Sequence, residues 1–400
     1  MSGKCKAGGD DAMQPLSQIS RIWQVPDASQ AYTTGVSLHS HTSFSVETLN
    51  FVHAVCSSVP FVDKIVAHYA RVSKERYNLT LDFDTAHWRP PLLPLMAFEL
   101  ERKQILSLGL DPLVSITDHD NIHAPMLLRT IPVARRIPFS VEWTVPFRKT
   151  AFHMGIHNLP SEEAAGWMER FERFTAAPDD QELRRMLREL DSIPQVLIVL
   201  NHPIWDLYKI GDDNHAMELD RFLAQNNGQI HALELNGLRH ARENRQVMEL
   251  ARRWSQLLIS GGDRHGLEPN ANINLTNVTS FSAFVREIRV ERQSHVLFLE
   301  QYARPWEQRI LESTLDAVSD HPQFSPGWQR WDERAFHLDG TGEMRSMAEL
   351  WPRGKAPLAL RAAIQCVRLL RHRALASALS LAAPRVNVDA LDADAMQEIA

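Results

Sequence analysis

Short apolar runs that stop at a histidine or an acid recur along this chain, and that repetition constrains its fold more than any other feature. Val36 to Leu38, Leu113 to Ile116, Val196 to Leu200, Ala232 to Leu235 and Leu257 to Ile259 read as buried strands. Between them, Leu95 to Leu108, Ser161 to Thr175, Gln181 to Leu190 and Glu243 to Gln256 carry helical periodicity, with Gly109 placed as a C-cap and Ser161 followed by two glutamates at a helix start. The alternation predicts an α/β architecture with a mainly parallel sheet or barrel. The polar residues fall just past the strand ends, where α/β barrels place their chemistry.

The first cluster is Leu38-His39-Ser40-His41. With 18 histidines in 400 residues, chance alone supplies roughly one H-x-H, so position rather than motif gives it weight. On a strand, residues i and i+2 point the same way, so His39 and His41 can share one ion or bridge two. The second, Thr117-Asp118-His119-Asp120, puts two carboxylates around a histidine at a buried strand end, which is costly without a cation. Asp118 or Asp120 can instead cap the next helix while His119 binds metal. Glu142 follows a third apolar stretch, with His153 and His157 four residues apart downstream; that spacing does not choose between them as ligand. His202 in N-H-P, and Asp263 and His265 in G-G-D-R-H, complete the series.

These pieces together resemble the PHP family, the polymerase and histidinol phosphatase superfamily. The resemblance rests on L-H-S-H at 38–41, I-T-D-H-D at 116–120, Val141-Glu142, Phe152-His153, Asn201-His202-Pro203, Glu234-Leu235-Asn236-Gly237 and G-G-D-R-H at 261–265, and spans roughly residues 35 to 270. It implies a distorted (β/α)7 barrel with two or three divalent ions at its mouth and a bridging role for Glu142. Two departures stand out. The family's aspartate shortly after H-x-H is missing: Ser45 is followed by Val46, and the nearest acid is Glu47. The 76 residues between His41 and Asp118 imply an insertion at about 50–92 carrying His68, Tyr69, Arg71, Arg76, His87, Trp88 and Arg89, either a substrate-selecting lid or a packing element.

The expected metal ligands are therefore His39, His41, Glu47, His119, Glu142, His153, His202, Asp263 and His265. His119, His202 and His265 are also candidates for proton transfer, and Arg264 for neutralising phosphate, because a guanidinium matches two oxygens at once. Imidazole and carboxylate donors suit Mn, Zn or Fe. Such a site predicts a metal-dependent phosphoesterase of phosphatase or 5′-exonuclease type, acting through a metal-activated water on a small-metabolite, nucleotide or oligonucleotide phosphate, with short nucleic acid a further candidate partner. Two other classes compete: an amidohydrolase-type barrel cleaving C–N or C–O bonds, and a metal-holding scaffold without catalysis.

Bulk properties bound the rest. A net charge of −6 and pI near 6.3 give no general attraction to polyanions. Cys5, Cys56 and Cys366 are far apart, which argues against a disulfide framework and for a reducing cytoplasm. No apolar leader or 18-residue apolar stretch is evident, so no membrane anchor is expected. Residues 1–30 read as a flexible arm, 31–290 as the catalytic barrel, and 291–400 as a helical C-terminal region with arginines on an Ala/Leu background at 353–385. Oligomeric state is not legible.

Overall fold

The computed structural model describes residues 16–49, 62–77, 80–82, 85–351, 354 and 356–369. The fold is mixed α/β with three sheets. The apolar runs form β2 (Thr34–Ser37), β5 (Asp111–Val114), β8 (Leu197–Asn201), β9 (Ala232–Asn236) and β10 (Leu257–Gly261). In β8, β9 and β10 every residue is buried, as continuous apolar runs require when both faces of a sheet are covered. Helices cover them. In Asp180–Asp191 the side chain of Asp179 accepts from the N–H groups of Gln181 and Glu182, and Leu183, Met186, Leu187 and Leu190 line one buried face. Burying each such side chain is worth roughly 1.5–3 kcal/mol.

Two five-stranded sheets dominate. With β1 (Leu16–Arg21), β11 (Asn272–Thr276) and β12 (Gln293–Phe298), the first runs β1-β12-β11-β2-β5. With β6 (Phe139–Phe147) and β7 (Thr150–Leu159), the second runs β10-β9-β8-β7-β6. The expected mainly parallel order holds for β8-β9-β10, β2-β5 and β1-β12, whereas β6, β7 and β8 pair antiparallel and β11 opposes both its neighbours. No closed barrel forms among the described residues. The sheets meet at both edges without a continuous ladder. At one, a single bridge joins His119 to Glu142; at the other, the N–H of Leu258 donates to the Ser17 side chain on β1, and that of Ser260 to the Asn274 side chain on β11, further into the sheet.

The third sheet, β14-β13-β4-β3, is small and joins distant segments: β3 (Glu47–Thr48), β4 (His87–Trp88), β13 (Ala335–Leu338) and β14 (Met344–Ser346). Several elements lie at the expected limits of the arm, the barrel and the C-terminal region. Residues 16–21 are strand β1, paired along β12, so this part of the expected arm belongs to the sheet; residues 1–15 lie outside the described residues. A boundary at 290 would cut off β12, whose Val296, Leu297 and Phe298 are buried. The C-terminal region also contributes β13 and β14, besides helices such as Trp306–Val318 and Leu358–Leu369. Of the expected insertion, the helix Val62–Tyr77 and β4 are described; residues 50–61, 78–79 and 83–84, the side chains of Tyr69 and Arg76, and residues 370–385 of the arginine-bearing stretch lie outside the described residues. His68 and Arg71 contact each other at the surface, and His87 and Arg89 pack on Phe336. No described helix is long and apolar enough to cross a membrane.

Candidate metal centre

The exits of β2 and β10 are laced together, and that brings the H-x-H and D-x-H segments face to face. Asp263 N–H donates to the His39 carbonyl (2.8 Å) and His41 N–H to the Arg264 carbonyl (2.9 Å). The His39 and His41 Nε2 atoms lie 3.0 Å apart, with Asp263 Oδ1 3.7 and 3.5 Å from them. Each imidazole is turned by its other nitrogen. His39 Nδ1 is 2.5 Å from Glu234 Oε1, and His41 Nδ1 is 3.1 Å from Ser45 Oγ, which leaves both Nε2 atoms pointing inward. Glu234 reaches this place because residue 261 is glycine: a Cβ there would sit 1.5 Å from Glu234 Oε1.

Glu142, on β6, is the hub. Its Oε2 lies 3.0 Å from His39 Nε2 and 3.3 Å from both His41 Nε2 and His119 Nδ1. Its Oε1 lies 3.1 Å from His202 Nε2, 3.3 Å from His153 Nδ1, and accepts from Asn201 Nδ2 at 2.9 Å. His202 sits at φ +27°, a strained backbone at the end of β8 that aims its ring inward. The spacing of His153 and His157 left the choice open; the structure puts His153 against Glu142, while His157 Nδ1 contacts Ser115 Oγ at 3.0 Å. Asp118 accepts from Thr42 N–H (2.6 Å) and Oγ1 (2.8 Å), and Asp120 from Thr144 N–H, so both hold loops.

Glu47 is delivered by β3. Its Oε2 lies 3.2 Å from His265 Nε2 and 3.3 Å from His119 Nε2, and its Oε1 accepts from Ser45 Oγ at 2.6 Å. Val46 is exposed, while Glu47 is buried against these histidines. Four overlapping donor sets result, each within 4.8 Å: His41, Glu47, His119 and His265; His39, Glu142 and His202; His39, His41 and Asp263; His119, Glu142 and His153.

Arg264 needs a correction. Its side chain is 1% exposed, with Nε 2.6 Å from Glu101 Oε1 and Nη1 2.7 Å from the Gly266 carbonyl. Asp263 and His265 share one side of the segment, so the intervening residue points the other way, into the core. It ties the His265 loop to the helix Pro94–Ser107 and does not reach the cluster's open side. The arginine on that side is Arg239, together with Trp88, Trp205 and Trp306, lining a cleft of about 390 Å³ over the donors. Sequence reading assigns no role to Arg239, Trp205, Trp306, Glu234, Asn236 or Asn201; for Glu234 and Asn236 the signal was their place in the E-L-N-G piece.

Burial opposes charge throughout, and mutual pairing overrides it. His39 would be lowered by burial, but Glu142, Glu234 and Asp263 hold it well above its ordinary value. Against the same burial, Glu47 raises His119 to about 10 with Glu142, and His265 to about 9 with Asp263. The carboxylates answer: despite burial, Glu47, Glu142 and Asp263 are held well below their usual range by the facing imidazoles. His41 falls to about 3, through burial and then His265; His157 also falls to about 3, through burial and then His39. Burial takes Asp118 up to about 7.

The donor chemistry fits divalent cations. Imidazole and carboxylate atoms converge in a buried pocket, and His153 Nδ1 has no hydrogen-bond partner there.

No protein-family model matches the chain, and comparison with curated proteins gives no match. Among solved structures, the chain is similar to a Bifidobacterium adolescentis protein provisionally described as a metal-dependent phosphoesterase (17% identity, 51% of this chain and 92% of that one, TM-score 0.32). It is also similar to an amidohydrolase from Chromobacterium violaceum with bound sulfate and no metal (15%, 44% and 83%, TM-score 0.30) and to PsfC from Pseudomonas syringae PB-5123 (16%, 55% and 88%, TM-score 0.36). Likeness at this level does not carry an activity to this chain.

Proposed function

We propose that the chain is a metal-dependent phosphoesterase of the PHP type, on a distorted barrel whose two large sheets meet edge to edge. The observation that supports this most is the position of Glu142, whose Oε2 faces His39, His41 and His119 and whose Oε1 faces His153 and His202, all within 3.0–3.3 Å. One carboxylate placed so is suited to bridge two ions. His39, His41 and Asp263 would hold one ion, Glu142 a second with either His39 and His202 or His119 and His153, and His41, Glu47, His119 and His265 a third. Mn, Zn or Fe suits these donors. When bound, the ions would neutralise a phosphoester's oxygens and lower the pKa of an attacking water.

The chain's own residues prepare the rest. Glu234 and Asn236 fix His39 and Asp263, the latter through Asn236 Nδ2 to Asp263 Oδ2 at 3.0 Å. His265 is held by Nδ1 on the Asp263 carbonyl (2.9 Å), so its Nε2 faces Glu47 at the cleft and can carry a proton to a departing alkoxide when no ion occupies that set. We read the protein as cytoplasmic from its scattered cysteines.

The test is metal analysis of purified protein with an assay panel of phosphate esters, cyclic amides and lactones. The expected result is phosphate release that a chelator abolishes and Mn, Zn or Fe restores. Hydrolysis of amides or lactones with no phosphate release, or bound metal with no turnover, would contradict it.

A further inference from the structure

One hydroxyl beside the cluster meets three partners. Ser45 is wholly buried and closes a tight turn after the H-x-H segment, its N–H donating to the Thr42 carbonyl at 2.9 Å. Thr42 is held in turn by Asp118, and the flanking residues are tied as well: Ser43 N–H donates to the Leu92 carbonyl (2.8 Å) and Asn121 Nδ2 to the Phe44 carbonyl (3.0 Å). A side chain on so well-anchored a turn has a fixed position. Its Oγ lies 2.6 Å from Glu47 Oε1, 3.1 Å from the backbone nitrogen of His119 and 3.1 Å from His41 Nδ1.

A serine hydroxyl has one proton to donate and two lone pairs with which to accept. The backbone N–H of His119 can only donate, so it occupies one lone pair. Glu47 Oε1 takes the proton. Two oxygens 2.6 Å apart have a proton between them, at the short distance of a hydroxyl on a carboxylate, and the other oxygen of Glu47 faces the Nε2 atoms of His119 and His265 at 3.3 and 3.2 Å, as an anion would. One lone pair remains for His41 Nδ1. Only a protonated Nδ1 suits it, because a bare one would set lone pair against lone pair.

We infer that Ser45 is a positioning residue that sets the proton of His41 on Nδ1 before any ion arrives, leaving Nε2 as the ligating nitrogen, and that the same hydroxyl holds the Glu47 carboxylate against His119. This rests on the metal-dependent reading above. Glu234 orients His39 with a charge and acts on one imidazole of the H-x-H pair; Ser45 acts on the other with a neutral group and reaches further. It touches three of the four donors in the set His41, Glu47, His119 and His265, and it joins Glu47, which arrives on β3, to the turn that leaves β2. Its loss therefore falls hardest on the ion that this set would hold.

Neutron diffraction from deuterium-exchanged, metal-free crystals of the wild-type protein reads both protons directly. The expected map has density on His41 Nδ1 and a Ser45 hydroxyl directed at Glu47 Oε1; a bare Nδ1, or a hydroxyl directed at it, would overturn the assignment. Titration with Mn under competitive chelation then compares full-length Ser45→Ala and Ser45→Thr with wild type. In Ser45→Ala one ion should lose affinity by about 10- to 100-fold while the remaining Mn binds as before, and Ser45→Thr, which keeps the hydroxyl, should recover most of the loss. Unchanged Mn binding in Ser45→Ala, or the same weakening of every ion in both variants, would mark Ser45 as packing only and overturn the inference. Wild-type protein that binds no Mn would remove the metal-dependent reading and the inference with it, whereas bound Mn without phosphate release would remove the phosphoesterase reading alone and leave the role of Ser45 in place.

Discussion

The two large sheets and the small four-stranded sheet furnish the same cluster by different physical means. His39, His41, Glu142, His153, His202 and Asp263 sit on or just beyond largely buried strands of the two large sheets; Glu234 and Ser45 turn the His39 and His41 rings, and Asn201 donates to the Glu142 carboxylate. Glu47 sits on a two-residue strand, and its sheet includes exposed Met344 and Arg345 and depends on pairing of β4 with β13, almost 250 positions apart in the chain. The first wall is preformed by the core. The second is conditional on the C-terminal region being in place.

Breaking the first wall has the largest effect. Truncation after residue 290 removes β12 from between β1 and β11, leaving Val296, Leu297 and Phe298 of the core missing, and should abolish soluble folded protein by circular dichroism and gel filtration. A folded truncation would show that the two regions are independent. Next in size is the loss of Glu47, the carboxylate common to His119 and His265. Glu47→Ala should bind about one ion fewer by elemental analysis and lose much of its turnover while melting as a folded protein. Phe336→Ala, which removes the stack under His87 and Arg89, should weaken that same ion's affinity and leave the others. Unchanged metal content in both would remove the conditional wall from the account.

Glu234→Gln probes the preformed wall more gently. His39 keeps a hydrogen-bonding neighbour but loses a facing charge, and metal affinity should fall about 10- to 100-fold by competitive chelation. No change would mean that Glu234 does not orient His39.

The smallest effect separates the walls by pH. In metal-free protein His119 and His265 are raised to about 10 and 9, chiefly by Glu47 against burial, so they stabilise the fold fully below the unfolded histidine pKa of about 6.5. That stabilisation is lost as pH rises through about 9 to 10. The lowered Glu47, Glu142 and Asp263 act in the opposite direction, stabilising above about pH 4 and losing their effect as they protonate. The metal-free melting temperature should therefore decline from pH 7 to pH 10, and Glu47→Ala should flatten that decline. A wild-type profile flat across this range would contradict the assigned pairing.

The same contrast explains what could be read from sequence. The strands of the large sheets are legible because an unbroken apolar run such as Val196 to Leu200 has few alternatives, and the i, i+2 rule places His39 with His41 and Asp263 with His265 on shared sides. That rule also turns Arg264 into the core, which reading the D-R-H triplet as one functional unit overlooks. The antiparallel pairing of β6 and β7 leaves no distinct mark in a run of buried residues. β1 and β13 are short and pair with strands far away in the chain, and β14 adds to β13, so local periodicity does not reveal them. Glu47 is visible as the nearest acid, but its reach to His119 and His265 depends on that distant pairing. Arg239 looks like one arginine among many until the fold sets it on Trp205.

The most direct measurement is anomalous X-ray scattering from crystals grown with Mn, recorded at the metal edge, in wild type and Glu142→Ala. The account predicts peaks among His39, His41, Glu142, His153, His202 and Asp263, a further peak beside Glu47, and loss of the peaks flanking residue 142 in the variant. Wild-type crystals with no anomalous density at these donors, or a variant that keeps every peak, would contradict the claim that this cluster is a metal centre organised on Glu142.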